Sequence, residues 1–245
     1  MTQRKAVHPL PVALVTGGSR GLGRAFTISL VRRGWHVVID ARDPVPLTKL
    51  VAQIESRHAV TAVPGDVRDP RHRLRLAAAL AEAGGLDLLV NNASVLGPSP
   101  QPHLADYPLE MLEQVYAANT LAPLALFQAL LPQLARRAGR VVNISSDAAV
   151  EPYPGWGGYG SAKAALDQLT AVLAVEHANL RVYAFDPGDM ATDLHQQAFP
   201  GEDISDRPAP ERVVPALLAL AEGDLPSGRY RAADLLVETA GDNSR

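Results

Sequence analysis

Residues 12–23 read VALVTGGSRGLG, and the reading of the whole chain starts from them. Val12 to Thr16 form a short apolar run, a cluster of glycines follows, and Leu22, Ala25, Phe26 and Leu30 then recur at helical spacing. The stretch predicts a strand, a tight turn and a helix. Glycines at 17, 21 and 23 permit the turn and a close backbone approach by a ligand, while the helix N-terminus offers unpaired N–H groups at the positive end of its dipole. That junction suits a pyrophosphate. Its spacing is TGxxxGxG rather than GxGxxG, and a glycine-rich turn standing alone can also be only a turn.

The same unit recurs along the chain. Apolar runs at 37–39, 61–63, 86–90, 140–144 and 181–185 alternate with helical spacing near 46–57, 70–83, 108–137, 158–178 and 210–222, and a last strand is expected near Gly228–Ala232. Strands that read as continuous apolar runs between helices indicate a parallel sheet buried on both faces, an α/β architecture. One domain is expected over residues 1–245, because no Ser/Gly-rich linker divides the chain. Residues 187–210, rich in Pro, Gly and acids, follow a strand on the edge where open α/β sheets bind ligands. They read as a substrate lid around 188–210.

Composition narrows the partners. The net charge of −3 gives no electrostatic reason to expect nucleic acid, so a small-molecule partner is expected. The chain has no cysteine, which removes thiol nucleophiles and zinc-thiolate sites, and its seven histidines lack ligand spacing, so no metal is expected. The N-terminal segment MTQRKAVHPLP is too polar for a signal peptide and no apolar run approaches the length that spans a bilayer, so no membrane association and a cytoplasmic location are expected.

Two arginines bear on the ligand. Arg20 lies inside the glycine turn, and Arg42 follows the second strand at the place where an acidic residue would accept hydrogen bonds from the adenosine ribose of NAD. A guanidinium there suits a 2′-phosphate, because its planar fork matches phosphate oxygens. Each arginine alone reads as a solvated surface charge, but together they favour NADP(H), with NAD(H) possible. Asp40, two residues earlier, is the competing NAD-type carboxylate if the strand end is placed differently.

The order of these features, continued along the chain, resembles the short-chain dehydrogenase/reductase family, in its single-domain branch of about 250 residues. TGGSRGLG matches the family's cofactor turn, NNAS at 91–94 stands where the family usually has NNAG, and ISS at 144–146 precedes YGSAK at 159–163. DPG at 186–188 with Thr192 matches its nicotinamide-side segment. The resemblance implies a Rossmann-type doubly wound parallel sheet of about seven strands, order 3-2-1-4-5-6-7, with helices on both faces. It implies cofactor contacts from Gly17, Ser19, Arg20, Gly21, Leu22, Gly23 and Arg42, and from the Asp66-Val67 pair after the third strand. Asn92, Ala93, Tyr159, Lys163, Pro187, Gly188 and Thr192 complete that implied set. Ser94 departs from the family's glycine.

The implied catalytic set is Asn119, Ser146, Tyr159 and Lys163. Reduction of a carbonyl needs a proton beside the oxygen, and a phenol is a poor exchanger at neutral pH unless its anion is stabilised. Positions i and i+4 share a helix face, so Lys163 can bring a cation to the Tyr159 phenol. Lysine is scarce: of 23 basic residues only Lys5, Lys49 and Lys163 are not arginine. The small residues between the pair, Gly160, Ser161 and Ala162, would let a cofactor ribose approach. The resemblance gives Lys163 the ribose hydroxyls, Ser146 the substrate oxygen, and Asn119 a water linked to Lys163. As residues alone, Ser146 could cap a strand end and Asn119 could satisfy a carbonyl at a helix kink. The expected activity is an NADP(H)-dependent oxidoreductase acting on a carbonyl or secondary alcohol, and the alternative is a catalytically silent NADP(H)-binding sensor or regulator on the same fold. Tyr153, Trp156, Met190, Leu194 and Phe199 could line an apolar pocket or belong to the core. The resemblance also implies a homodimer or homotetramer through the helices near 108–137 and 158–178, although the chain's end lacks the glycine-rich finish of many tetrameric members.

Overall fold

The computed structural model describes residues 10–54 and 59–242, so the N-terminal segment, the end of the helix expected to reach 57, and the final residues lie outside it. The opening run forms β1 (Val12–Val15), the turn leads into α1 (Gly21–Arg32), and the chain returns through β2 (His36–Ala41). Two Asp-Pro pairs start the next helices. Asp43 and Asp69 accept hydrogen bonds from Val45 N and Arg71 N, and Pro44 and Pro70 stand in the first turn, where a missing N–H costs nothing. These caps begin α2 (Pro44–Gln53) and α3 (Pro70–Glu82), on either side of β3 (Val60–Pro64).

The second half contributes β4 (Leu88–Asn91), α4 (Leu109–Tyr116), α5 (Ala122–Arg137) and β5 (Arg140–Ile144). It continues with α6 (Gly157–Glu176), β6 (Arg181–Asp186), α7 (Asp193–Ala198), α8 (Val214–Glu222), β7 (Gly228–Arg231) and α9 (Ala232–Asp242). All seven strands pair in parallel in the order β3-β2-β1-β4-β5-β6-β7. Period-two alternation divides the core. Ala13 and Val15 face one layer with α1, α2, α8 and α9, while Val12 and Leu14 face the other with α3, α5 and α6.

Three elements differ from the sequence reading. The end of the chain forms α9, whose Leu235 is buried against the first layer. The expected lid segment is partly helical, with Thr192 capping α7 through a hydrogen bond from His195 N. The run Leu109–Arg137 is 29 residues long and apolar enough, by length and composition, to cross a bilayer, contrary to the expectation that no run approaches that length. Its Leu126, Phe127, Leu130 and Leu134 face the second core layer, as in a core helix. A π-helical turn, Ala117–Leu121, interrupts this run and carries Asn119.

Candidate active site

A continuous cleft of about 590 Å³ runs along the carboxyl ends of the strands, across the point where the strand order reverses between β1 and β4. One end of it begins at the glycine turn, where Gly17, Ser19, Arg20, Gly21 and Leu22 line it. Gly17 has φ of +63°, a conformation side chains rarely adopt, and a Cβ on Gly23 would stand 2.5 Å from the Gly17 carbonyl. Gly23 therefore sits behind the lining and lets α1 approach the turn. Arg20 caps α1 in extended conformation without a side-chain cap, and no acid occupies the first turn, so the helix end faces the cleft with its N–H groups free of a carboxylate. This cradle fits a pyrophosphate.

Asp40 lines the cleft with its carboxylate bonded to the scaffold. It is buried, its Oδ1 accepts the Gly17 N–H at 2.8 Å, and its Oδ2 accepts from His72 Nε2 at 2.9 Å. Arg75 donates to His72 Nδ1 at 3.1 Å, so the Nε2–H of the ring is the one that faces Asp40. Burial pushes the Asp40 carboxyl up, and the bonds from His72 and Gly17 oppose this. Both carboxylate oxygens are committed to the scaffold. Arg42 lies exposed at the cleft, beside the exposed Asp43. Arg20 also stands there, with its guanidinium 2.8 Å from Asp193 on α7.

Asp66 and Val67 line the same side. The Asp66 carboxyl is held below its usual range chiefly by hydrogen bonds from Arg68, with Arg42 contributing. Asn92 and Ala93 also border the cleft, but they hold the turn: Asn92 Nδ2 donates to Thr16 O at 2.8 Å, and both backbone N–H groups donate to Thr16 Oγ1.

On the far side, Ser146, Tyr159 and Lys163 line the cleft with Pro187, Gly188 and Thr192. Gly160 does not leave room for a ribose as expected. A Cβ there would lie 2.5 Å from the Ala148 carbonyl, so the glycine seats α6 against the turn that follows Ser146 and brings Tyr159 beside it. Burial pushes the Tyr159 phenol up to about 12, a hydrogen bond from Ser94 acts in the opposite sense, and Asp147 and Asp186 raise it further. Lys163 is buried, and burial lowers its ammonium to about 8, with Asp167 opposing. Its Nζ donates to Ile144 O at 2.7 Å and stands 5.5 Å from the centre of the Tyr159 ring. The expected approach to the phenolic oxygen is thus a position over the ring.

Ser146 Oγ donates to Asp147 Oδ1 at 2.8 Å and accepts the Ala148 N–H, while Tyr153 Oη donates to Asp147 Oδ2 at 3.1 Å. Asn119 stands behind the lining. Its Oδ1 accepts from Val95 N at 2.9 Å and from Ser94 Oγ at 3.2 Å, and its Nδ2 donates to Val95 O at 2.9 Å. The amide pins the loop after β4 to the π-turn. Of the residues proposed for an apolar pocket, Trp156, Met190 and Leu194 line the cleft, joined by Leu96. Phe199 packs on Trp156 with ring centres 5.9 Å apart.

One residue escaped the sequence reading altogether. Arg229 on β7 donates to Asp167 Oδ2 at 3.0 Å, to Asp186 Oδ2 at 3.1 Å and to the Ser146 carbonyl at 2.9 Å. It ties the serine to the acid one turn beyond Lys163 and to the start of the segment that crosses the cleft. No local motif marks Arg229, which reaches the site only through the pairing of β7 with β6.

Residues 11–203 match the family model described as short chain dehydrogenase. Short chain dehydrogenase penD of Penicillium thymicola is 35% identical over 208 residues, covering 79% of this chain and 75% of that protein. The rhamnolipids biosynthesis 3-oxoacyl-[acyl-carrier-protein] reductase of Pseudomonas aeruginosa is 38% identical over 184 residues, 71% of each chain. A short chain dehydrogenase of Shigella flexneri, solved with NADP, superposes with a TM-score of 0.84 at 28% identity, covering 92% of this chain and 98% of that one. With the seven-stranded parallel sheet and the matched segment taken together, the chain belongs to the short-chain dehydrogenase/reductase family of NAD(P)-dependent oxidoreductases.

Proposed function

We propose that this protein interconverts a carbonyl compound and its alcohol with NADP(H), Tyr159 acting as the acid in reduction and the base in oxidation. The observation that carries this reading is the meeting of Ser146, Tyr159 and Lys163, from two separate elements, on the same cleft as the glycine turn. The cofactor would be held by the turn residues, by the Asp66-Val67 segment and by Lys163, and when bound it supplies or accepts the hydride. Tyr159 gives its proton to the substrate oxygen, which the Ser146 hydroxyl holds once it turns from Asp147. The phenolate left behind is buried, so its cost falls on the nearby Lys163 ammonium.

Preference for NADP(H) over NAD(H) is supported by the exposed Arg42 and by the withdrawal of Asp40 into the scaffold. The Shigella flexneri neighbour solved with NADP and an Escherichia coli neighbour solved with NADPH are consistent with it. Leu96, Trp156 and Leu194 give the substrate side an apolar wall, which suits a moderately hydrophobic substrate. The same reading includes self-association through the Leu109–Arg137 run and α6, where Leu109, Leu121, Val172 and Val175 are exposed.

NADPH oxidation with a panel of ketones, aldehydes and quinones tests the activity. Tyr159→Phe should retain NADPH binding and lose turnover by about 100-fold or more. A wild-type protein that binds NADPH without turning over any member of the panel would shift the assignment to a silent sensor.

A further inference from the structure

We infer that Arg229 is a positioning residue for the reaction: its guanidinium joins the Ser146 carbonyl to the Asp186–Gly188 turn, anchors both to α6, and so sets the spacing between the substrate oxygen and the nicotinamide. The inference rests on the proposed reading of Ser146, Tyr159 and Lys163 as the site of carbonyl reduction.

Arg229 pairs with Ala184 in the register of β7 on β6, and residues two apart on a strand share a face, so Arg229 and Asp186 stand on the same side of the sheet. There the guanidinium also meets Asp167 of α6, one turn beyond Lys163. Its donors are divided between the three partners: Nε donates to Asp167 Oδ2 at 3.0 Å, whereas Nη2 serves both the Ser146 carbonyl at 2.9 Å and Asp186 Oδ2 at 3.1 Å. Asp186 Oδ1 in turn accepts the Gly188 N–H at 3.0 Å. A chain of hydrogen bonds therefore runs from the serine on the substrate side to the Pro187–Gly188 turn on the same cleft. The side chains of Asp186 and Asp167 are only 4% and 15% exposed, and buried carboxylates need their cation, so the guanidinium is fixed where it stands.

The strands alone do not make this connection. The pairing of β5 with β6 is carried one step further by the Ser145 N–H, which donates to Phe185 O at 2.7 Å, and past that bond the guanidinium links the two chain ends. Hydride transfer needs the nicotinamide and the substrate carbonyl carbon held at a set distance, and a misplacement of about 1 Å can cost on the order of 100-fold in rate. Ser146 would hold the substrate oxygen and the Pro187–Gly188 turn would border the nicotinamide. Arg229 fixes one against the other without touching either ligand. Its planar fork presents two nitrogens to acceptors on different elements, which the single nitrogen of an ammonium cannot do.

Two ligands separate this role from general support of the fold: NADPH, and adenosine 2′,5′-bisphosphate, which carries the 2′-phosphate but no nicotinamide. Arg229→Met should weaken NADPH about threefold to tenfold and leave the bisphosphate within about twofold of wild type. With a carbonyl probe that the wild type reduces, kcat should fall about 10-fold to 100-fold while the KM of the probe changes less. Arg229→Lys keeps a charge beside the two carboxylates but loses the fork, so it should show the same split and serves if the methionine variant fails to fold. Equal loss of both ligands in a folded variant, or loss of neither, overturns the proposal, because a residue that only supports the fold would not single out the nicotinamide half. Selective loss of NADPH in a protein whose wild type turns over no carbonyl probe supports the tie and places the fault in the reaction assigned.

Discussion

Asp147 acts on two partners at once. Its Oδ1 holds the hydroxyl of Ser146, and its charge, together with that of Asp186, raises the phenol of Tyr159. The two effects separate in Asp147→Asn, which keeps an oxygen for Ser146 and removes the charge. A raised phenol must reach a higher pH before it ionises, so withdrawing a nearby negative charge lowers its pKa. In alcohol oxidation, where the phenolate is the base, the rising limb of the pH profile of kcat/KM should therefore move to lower pH in the variant. Asp147 is exposed and its field is screened, so the expected movement is a few tenths of a unit, shrinking further as salt is raised. A limb that stays in place, or moves upward, would show that the carboxylate acts on Ser146 alone. The tyrosine and lysine were legible in the sequence because they stand four places apart on one helix, and the serine through the motif order that carries the family resemblance. The direction of the Ser146 proton was not, because it depends on the short helical turn that brings Asp147 under it.

The glycine turn is the element whose sequence reading was most complete and whose support was least visible. Residues 17–23 announce the turn, and the Asp-Pro pairs at 43–44 and 69–70 mark where α2 and α3 begin. What the sequence leaves open is which way Asp40 points, because one residue of shift along a strand reverses its face. The structure turns it inward to the Gly17 N–H and to His72, which lies 32 residues away on α3. Such pairings carry no local signal, and Arg229 escaped notice for the same reason. The support can be tested against the ligand contact. Asp40→Ala strips an acceptor from a backbone N–H and from a histidine in a buried network, and should destabilise the protein by about 3 kcal/mol. It should weaken NADPH and NADH by similar factors, since both need the turn. Arg42→Ala should leave the melting temperature almost unchanged and weaken NADPH about tenfold or more, with NADH little affected. Fluorescence titration with the two cofactors checks both. Selective loss of NADH in Asp40→Ala would mean that its carboxylate meets the ribose after all.

At the scale of the molecule, the cleft lies between two walls that a bound cofactor would bridge. One wall is the β1–α1 turn, the other the ends of β5 and β6 with α6, and α7 stands above both. The motif order was enough to anticipate the sheet, whereas the contact across the cleft, Arg20 to Asp193, joins residues 173 apart and was not readable. With side-chain exposures of 63% and 66%, that ion pair is worth under about 1 kcal/mol, so Arg20 can leave Asp193 for a phosphate at little cost. A ligand that touches both walls and binds only the folded chain adds to stability as RT ln(1 + [L]/Kd), about 2.7 kcal/mol at 100 times Kd. For a chain of 245 residues this corresponds to a rise in Tm of roughly 5–10 °C with NADPH. NADH at the same concentration should give a smaller rise, because it offers no 2′-phosphate to Arg20 and Arg42. Replacing both arginines by alanine should bring the NADPH shift down to the NADH value while leaving the melting temperature of the free protein within about 2 °C. Equal shifts by the two cofactors in the wild type would remove the 2′-phosphate from the recognition, and with it the reason for two arginines at this end of the cleft.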